Sequence, residues 1–432
     1  MERTYIKDAF NKKGKVLVKG WVHDSRDLSK VRFLVLRDKS GRIQITGING
    51  GIPNATFELM DKIPRESTVS IIGELKDSKQ APGGKEIIPE SIELISEAEH
   101  PLPIDLSDFS KTELPKRLDY RFLDTRRKNV NPIFKIRSSI NKNLVNFFYN
   151  NGFTLINTPK ITTIGLESGA DSFEVKYFNQ KASLAQSPQF YKQMFVMGGF
   201  ERVFEIGQVY RAEKSHTTRH QTEFTGVDFE MGFINDENDI MDMIENALKE
   251  TINGVIKECE NELKVFQIGF KVPKKIPRIP MQELKEILAK KGKKLGKDDD
   301  LDAEAERMIG EYIKEKYKEE FVFVTNYPWK VRPFYHMKPL KDANGTRSFD
   351  LLWNGVEVAT GAQREHRLEI LKAQAKEKGI KLDPIYADIF KYGVIPHGGV
   401  GFGLDRLTQR MLNLDNIREA SLLTRDPERV SP

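Results

Sequence analysis

The strongest constraint on the fold lies in the first hundred residues, where short alternating apolar runs are interrupted once by a helical stretch. KVLVKGWV (15–22), VRFLVLRD (31–38) and RIQITG (42–47) read as strands divided by polar turns. ATFELMDKI (55–63) has helical character, and TVSIIGEL (68–75) and EIIPESIELI (86–95) complete a set of five strands. Three strands, a helix and two strands is the order of an OB-fold β-barrel, although another small β-barrel fits the same pattern. In EAEHPLPIDLSD (97–108), Pro101 and Pro103 have a fixed φ and no N–H for a ladder, which suits an extended linker. The expected organisation is therefore a barrel domain over 1–104 followed by a hinge over 105–130.

Beyond residue 130 the period becomes helical. Asn131 is placed to cap a helix and Pro132 suits its first position, while Ile133, Ile136, Ile140, Leu144 and Phe147/Phe148 recur at three and four until Gly152. FTLINT, ERVFEIGQVYR, EFTGVDFEMGF, EFVFVTNYP, SFDLLWNGVEVATG and GGVGFGL then alternate with helices. The expected fold class is multidomain α+β, with a second domain over 131–432 built on a mixed, mostly antiparallel sheet flanked by helices. A small charged helical insertion falls around 270–320, clearest over 281–318, and its run Lys290 to Lys297 reads as a solvated face in preference to a nucleic-acid contact.

Composition narrows the class. With 432 residues, 39% hydrophobic and 31% charged, the chain can build the cores of two or three domains and is too apolar for general disorder. The single cysteine, Cys259, excludes an internal disulfide and a thiolate zinc site, so a reducing compartment is expected. MERTYIKDAFNKKGKVLVKG lacks the apolar centre of a secretory signal, and no apolar run approaches the ~20 residues of a membrane span, so a cytoplasmic protein without membrane contact is expected. The net charge of +6 hides a local excess of 12 basic over 5 acidic side chains in the first fifty residues.

The chain has no G-x-x-x-x-G-K-[ST], H-E-x-x-H or G-x-S-x-G, so an anion such as ATP must be held by other means. Three arginine-bearing segments offer one. EIGQVYRAEKSHTTRHQTEF (205–224) reads as a long hairpin: Arg211 and Glu213 leave one strand, Arg219 and His220 sit in the loop, and Phe224 enters the return strand. Arginines can bind phosphates there while the aromatic ring meets a purine. In GGVGFGLDRL (398–407), glycines let the backbone approach a ligand before Arg406 opens a helix. VEVATGAQREHR (356–367) sets Glu357 and Thr360, hard oxygen donors suited to Mg²⁺, near Arg364.

Taken in order, these segments resemble the three signature motifs of class II aminoacyl-tRNA synthetases. NGFTLINTPKI (151–161) is similar to motif 1, Arg211 to Phe224 to motif 2, and Gly401-Phe402-Gly403 through Arg406 to motif 3. The N-terminal barrel is similar to that of subclass IIb, which holds the aspartyl, asparaginyl and lysyl enzymes. QSPQFYKQ (186–193) and TGAQREHR (360–367) resemble the aspartyl family of archaeal and eukaryotic type.

The resemblance implies an ATP-dependent ligase that makes aspartyl-adenylate from L-aspartate and transfers aspartate to the 3′-terminal adenosine of tRNA-Asp. It implies Arg211 on the α-phosphate and substrate carboxylate, Arg406 on the γ-phosphate, and Phe224 and Arg406 around adenine. Glu213 would read the adenine amino group, Arg219 and His220 the outer phosphates, and Gly403 would lie against the nucleotide. Glu357 and Thr360 fall on the Mg²⁺ positions, Thr360 also bordering the aspartate; Arg211, Arg406 and Glu357 form the catalytic set. Lys192 and Arg364 would meet the aspartate side chain, and Gln189 and Glu167 its backbone end. Glu167 lies in TIGLESGADSF (163–173), which resembles a loop that closes over this group.

On the barrel, Phe33 beside Arg26, Arg32 and Arg37 suits an unstacked base. The family implies that Phe33 stacks on the anticodon of the tRNA, with Gln44 and Glu86 reading bases. His23, in GWVHDSRD, and Pro82, in KQAPGGKE, match positions at which relaxed enzymes carry His and Pro. A non-discriminating enzyme that also charges tRNA-Asn is therefore expected. Pro159 and the 131–151 helix resemble the motif 1 interface of a homodimer.

Overall fold

Period-two alternation puts Val16, Val18, Leu34, Leu36, Ile43 and Ile45 on one side of the first three strands, and a barrel closes around them. The computed structural model describes residues 1–107, 109–163, 172–214, 217–339 and 344–432, in two compact units, Met1–Pro103 and Ile104–Pro432. The first unit holds β1 (Gly14–Asp27), β2 (Val31–Arg37), β3 (Arg42–Ile48), β4 (Thr68–Asp77) and β5 (Lys85–Ser96), closed in the order β1-β2-β3-β5-β4. Helix α1 (Asn54–Lys62) lies between β3 and β4 in sequence and buries Phe57 and Met60. Closure removes the exposed strand edges that invite aggregation. Strand β1 runs five residues past Val22 because its polar end still pairs with β2, through Asp27↔Arg32. A bulge between Val22 and Asp24 leaves His23 as the extra residue.

Residues 105–130 differ from the expected hinge. They belong to the second unit, where short helices Leu114–Asp119 and Arg121–Asp124 gather three arginines on the buried Asp124. Arg117, Arg121 and Arg127 stand 2.9, 2.5 and 3.3 Å from its oxygens, and Arg121 also donates to the carbonyls of Glu419 and Ser421. A buried carboxylate requires such partners, and the backbone acceptors lie three hundred positions away, beyond any local pattern. The following helix α2 (Asn131–Asn150) also departs from its expected start. Val130 already has helical dihedrals, so Asn131 is not the cap, and its side chain instead donates to the Thr125 carbonyl at 3.2 Å.

The second unit contains β6 (Thr154–Leu155), β7 (Ile161–Thr162), β8 (Glu174–Tyr177), β9 (Gln180–Leu184), β10 (Arg202–Tyr210), β11 (Glu223–Gly232), β12 (Arg278–Pro280), β13 (Phe321–Thr325), β14 (Ser348–Trp353), β15 (Glu357–Gln363) and β16 (His397–Gly403). A small sheet has the order β7-β9-β8, and the main one β12-β13-β14-β15-β16-β11-β10-β6. The main sheet is antiparallel except for its two outermost pairs. Helices α3 (Gln189–Phe195), α4 (Glu237–Glu258), α5 (Met281–Lys290), α6 (Ala303–Tyr317) and α7 (Leu404–Met411) complete the frame.

Register decides what each face of this sheet carries. Phe204, Val227, Phe229, Val400, Phe402, Ala359, Phe349 and Leu351 share a core with α2 and α4. The opposite face carries a polar row across five strands, Glu205↔Asp228↔Gly401↔Thr360↔Asp350. At one end of that face, Val322, Val324 and Leu352 form a second core with Leu284, Leu288, Ile309 and Ile313 of α5 and α6. The charged helical pair is thus docked on the sheet. In the Lys290–Lys297 run, Lys291 pairs with Glu315 at 3.5 Å and Lys293 with Asp302 and Glu304 at 2.6 Å. Among the described residues no helix is long and apolar enough to cross a membrane.

Candidate active site

The polar face of the sheet floors a cleft of ≈ 340 Å³. Gln189 from α3, Arg211, Glu213, Arg219, His220 and Phe224 from the β10–β11 hairpin, Glu357, Thr360 and Arg364 from β15 and its end, and Gly403 and Arg406 all line it. Of the expected set for this unit, Lys192 lies beneath the lining and Glu167 falls outside the described residues. A bulge makes the β15 contribution possible. Leu351 pairs with Ala359 and Leu352 with Glu357, so Val358 is the extra residue. Glu357 and Thr360, three apart, would face opposite ways on a regular strand; the bulge brings both to the cleft.

At one end of the cleft cations dominate. The Arg211 guanidinium lies 5.5 Å from the centre of the Phe224 ring, while Glu213 stands 3.8 Å from both Arg211 and His220. Burial lowers the His220 pKa, and Arg406, Arg211 and Arg219 act in the same sense against Glu213. Arg406 donates to the Glu357 carbonyl at 2.9 Å and reaches its Oε1 at 3.3 Å. The sequence reading missed Asp405, which accepts from the Thr225 N–H at 2.9 Å, Arg137 at 3.0 Å and Ser421 at 2.8 Å. These bonds pin the start of α7, and with it Arg406, to β11.

At the other end the groups are dry. Arg364, 3% exposed, donates from Nε and a terminal nitrogen to Glu230 at 2.9 and 3.2 Å, and its other terminal nitrogen lies 3.2 Å from His336 Nε2. Lys192, 2% exposed, meets Asp228 at 2.9 Å, the Val400 and Phe229 carbonyls at 3.0 and 3.4 Å, and Glu230 at 3.5 Å. Burial alone would push the Glu230 carboxyl up, but Arg364 and Lys192 hold it below its ordinary range. Burial drives His336 well below its usual value, with Arg364 adding to the effect, so its ring is neutral. Beneath them Gln189 donates to Gln193 at 3.1 Å, Gln193 bonds His397 at 2.8 Å, and Tyr386 donates to Gln193 at 3.1 Å. Burial lowers His397 to about 4.

Asp228, Glu230, His336 and Gln193 were not singled out in the sequence. The signal for the first two was two acids at alternate positions in an otherwise apolar strand, GVDFEMG. Gly399 makes room for Glu230: a Cβ there would fall 2.2 Å from the Phe229 carbonyl and 2.1 Å from a Glu230 oxygen. No group of three or more His, Cys, Asp or Glu that could hold a metal ion occurs among the described residues. The expected metal-type donors are both in the cleft, the part-exposed Glu357 carboxylate and the Thr360 hydroxyl, which bonds the buried Asp350; the Glu213 and Asp228 carboxylates line it as well.

On the barrel, register places Arg26, Phe33 and Thr46 in one row and Val35, Gln44 and Glu86 in the next, all facing outward. Glu86 accepts from Gln44 at 2.9 Å and Thr46 at 2.5 Å. The ring of cations expected around Phe33 is reduced to Arg26. Arg32 points the other way, donating to the Phe57 carbonyl at 2.7 Å, and Arg37 is buried against Glu66 at 2.7 Å. Arg37 also lies 3.1 Å from His23 Nδ1. Guanidinium has no acceptor, so Nδ1 must accept and the proton sits on Nε2. Pro82 is exposed in the Pro82–Gly84 turn.

Comparison with known proteins agrees with this architecture. Residues 113–427 match the family of tRNA synthetases class II (D, K and N), and residues 16–95 match the OB-fold nucleic acid binding domain. The chain is 43% identical over 426 residues to the aspartate–tRNA(Asp/Asn) ligase of Aeropyrum pernix, covering 97% of this chain and 96% of the relative. It is also 43% identical over 421 residues to the aspartate–tRNA(Asp) ligase of Pyrococcus abyssi, with the same coverage. Among solved structures, the asparaginyl-tRNA synthetase of Pyrococcus horikoshii bound to asparaginyl-adenylate superposes with a TM-score of 0.94 at 31% identity, covering 100% of both chains. The aspartyl-tRNA synthetase of Entamoeba histolytica gives 0.89 at 31% identity, covering 100% of this chain and 93% of that one. With an OB-fold match over residues 16–95 and the synthetase match over residues 113–427, which contain the arginine-lined cleft, the chain belongs to the class II tRNA synthetases of the D, K and N group.

Proposed function

We propose that the chain activates L-aspartate with ATP and transfers it to tRNA-Asp and tRNA-Asn. The observation that carries this reading is a single cleft lined both by Arg364, held against Glu230, and by Arg211, Arg219, Arg406 and Phe224. Phe224 and Arg406 take the adenine, and Arg211 holds the α-phosphate next to the incoming α-carboxylate. That carboxylate attacks phosphorus, pyrophosphate leaves, and the ribose hydroxyl of the terminal tRNA adenosine then displaces AMP. Positioning and charge stabilisation suffice, and no nucleophilic side chain is required.

Because its Nε edge is occupied by Glu230, Arg364 meets the aspartate side chain from its terminal nitrogens. Lys192 acts from below by holding Asp228 and Glu230 in place. Glu357 and Thr360 suit Mg²⁺, which commonly takes one or two protein oxygens and completes its shell with substrate phosphate. When bound there, it supplies charge neutralisation to the phosphates. Glu167 remains our candidate for the α-ammonium.

On the barrel, Phe33 offers a stacking face, with Gln44 and Glu86 beside it. His23 supports relaxed tRNA choice, since an Nε2–H donor can meet the O2 carbonyl common to C and U, and Pro82 has neither an N–H nor a polar side chain with which to reject either. A homodimer fits the exposed edge around β6, where Tyr149, Leu155, Phe200 and Phe233 are all solvent-exposed. The buried, unpaired Cys259 suits the cytoplasm.

Pyrophosphate exchange with each amino acid, followed by charging of tRNA-Asp and tRNA-Asn transcripts, tests the whole reading. Exchange with aspartate and comparable charging of both transcripts are expected. The runner-up is an asparaginyl enzyme, favoured by the structural match at a TM-score of 0.94, and exchange with asparagine alone would establish it instead.

A further inference from the structure

The helical pair α5–α6 supplies none of the residues expected in the cleft, yet α6 reaches one of them. Glu306 Oε2 lies 3.2 Å from a terminal nitrogen of Arg219, and its side chain is only 14% exposed. Arg219 lines the cleft, whereas its partner Glu306 is not among the lining residues. A guanidinium is a planar fork with five N–H donors, so it can be held from behind at one nitrogen and still present others to a ligand in front.

Helix α6 is also fixed in place. A Cβ on Gly310 would fall 2.5 Å from the Gly355 nitrogen, and a Cβ on Gly355 would fall 2.7 Å from the Glu306 carbonyl oxygen. Helix and hairpin therefore touch backbone to backbone. Asn354 and Gly355, at φ 49° and 70°, form the tight turn between β14 and β15, with Val356 alone separating it from Glu357. The hairpin that brings Glu357 and Thr360 to the cleft thus sets the height of Glu306 as well. Burial, with Glu357 nearby, raises the Glu306 carboxyl to about 7, against the pull of Arg219 and Arg406.

We propose that Glu306 is a positioning residue that holds Arg219 against the cleft wall so that the other nitrogens of its guanidinium meet the terminal phosphates of ATP. The inserted helices are then part of the nucleotide site. This rests on the assignment of the cleft to ATP.

Steady-state pyrophosphate exchange near pH 8, where the carboxyl is ionised, provides the test. Glu306→Gln keeps the shape and removes the charge; it should raise KM for ATP about fivefold or more while KM for aspartate stays within about twofold. Glu306→Asp should recover part of the loss. Adding Glu306→Gln to Arg219→Ala should change KM for ATP by less than about 1.5-fold, because both act through one contact. Arg219→Lys, on a chain with Glu306 intact, should raise KM for ATP by a similar factor, since an ammonium lacks the fork. An unchanged or lower KM for ATP in Glu306→Gln, additive effects in the double variant, or a neutral Arg219→Lys would each overturn the proposal. Absence of aspartate-dependent exchange in the parent would instead overturn the assignment of function.

Discussion

In the proposed function, Arg364 and Glu230 form the smallest unit on which substrate choice would depend. Each is buried; loss of Glu230 would take the carboxylate from the Arg364 guanidinium, whereas loss of Arg364 would leave Glu230 with Lys192 alone among the described residues, at 3.5 Å. Arg364→Lys separates fork from charge: it keeps a cation beside Glu230 but cannot span both carboxylate oxygens. We expect kcat/KM for aspartate in exchange to fall about 100-fold, roughly 2–3 kcal/mol, with the urea midpoint little changed. An exchange rate within twofold of the parent would remove Arg364 from the aspartate site. The sequence showed Arg364 because it stood in a recognisable motif. Glu230 and His336 stand in none, and their weight comes from burial against Arg364, which no local pattern reports.

At the level of elements, the two units should separate by function. Arg406 sits on α7, which Asp405 ties to β11, whereas Phe33 sits on a barrel strand in the other unit. Arg406→Ala should lower aspartate-dependent exchange at least about 100-fold. Phe33→Ala should leave exchange within about twofold while weakening tRNA charging about tenfold, the value of one lost stack. Charging that survives unchanged in Phe33→Ala would sink the role of the barrel face. Whereas β7, β8, β9 and β12 were not named, the barrel strands and the central strands of the main sheet were legible from alternation. The two bulges were not, because an extra residue is defined only by the partner strand it fails to match, and it is those bulges that turn Glu357 toward the cleft and set His23 apart from its ladder.

For the whole molecule, oligomeric state and pH response are the accessible measurements. Light scattering at micromolar concentration should give the mass of two chains, and Leu155→Glu on the β6 edge should shift it toward one; a parent monomer would contradict the dimer. His397 makes the second prediction. Its folded pKa of about 4, against an ordinary 6.5, means that the unfolded chain binds a proton the fold refuses between those values. Its contribution is complete above about pH 6.5 and is lost as pH falls toward 4, about 2–3 kcal/mol between pH 7 and 4.5. Glu230, held below its usual range, begins to lose its contribution only at the acid end of that window, where pH reaches the ordinary carboxyl value. Glu306 has the opposite sign, since its raised carboxyl is protonated in the fold first and relieves a burial cost on acidification. Urea unfolding of parent and His397→Gln across this range should therefore show a shallower acid decline in the variant, and parallel curves would remove His397 as the cause.

By itself the sequence determined the elements whose signals are local: the five barrel strands, the 131–150 helix, and the order of the arginine-bearing motifs. Periodicity and motif spacing are properties of neighbours in the chain, so they survive without coordinates. Only the tertiary structure decided that residues 105–130 pack as part of the second unit around Asp124, and that Arg32 and Arg37 turn away from the Phe33 face. It likewise set Lys192 beneath the cleft instead of in it, and brought α6 to Arg219. Each of these outcomes depends on which charges must be buried together, and that is settled by partners tens to hundreds of residues apart.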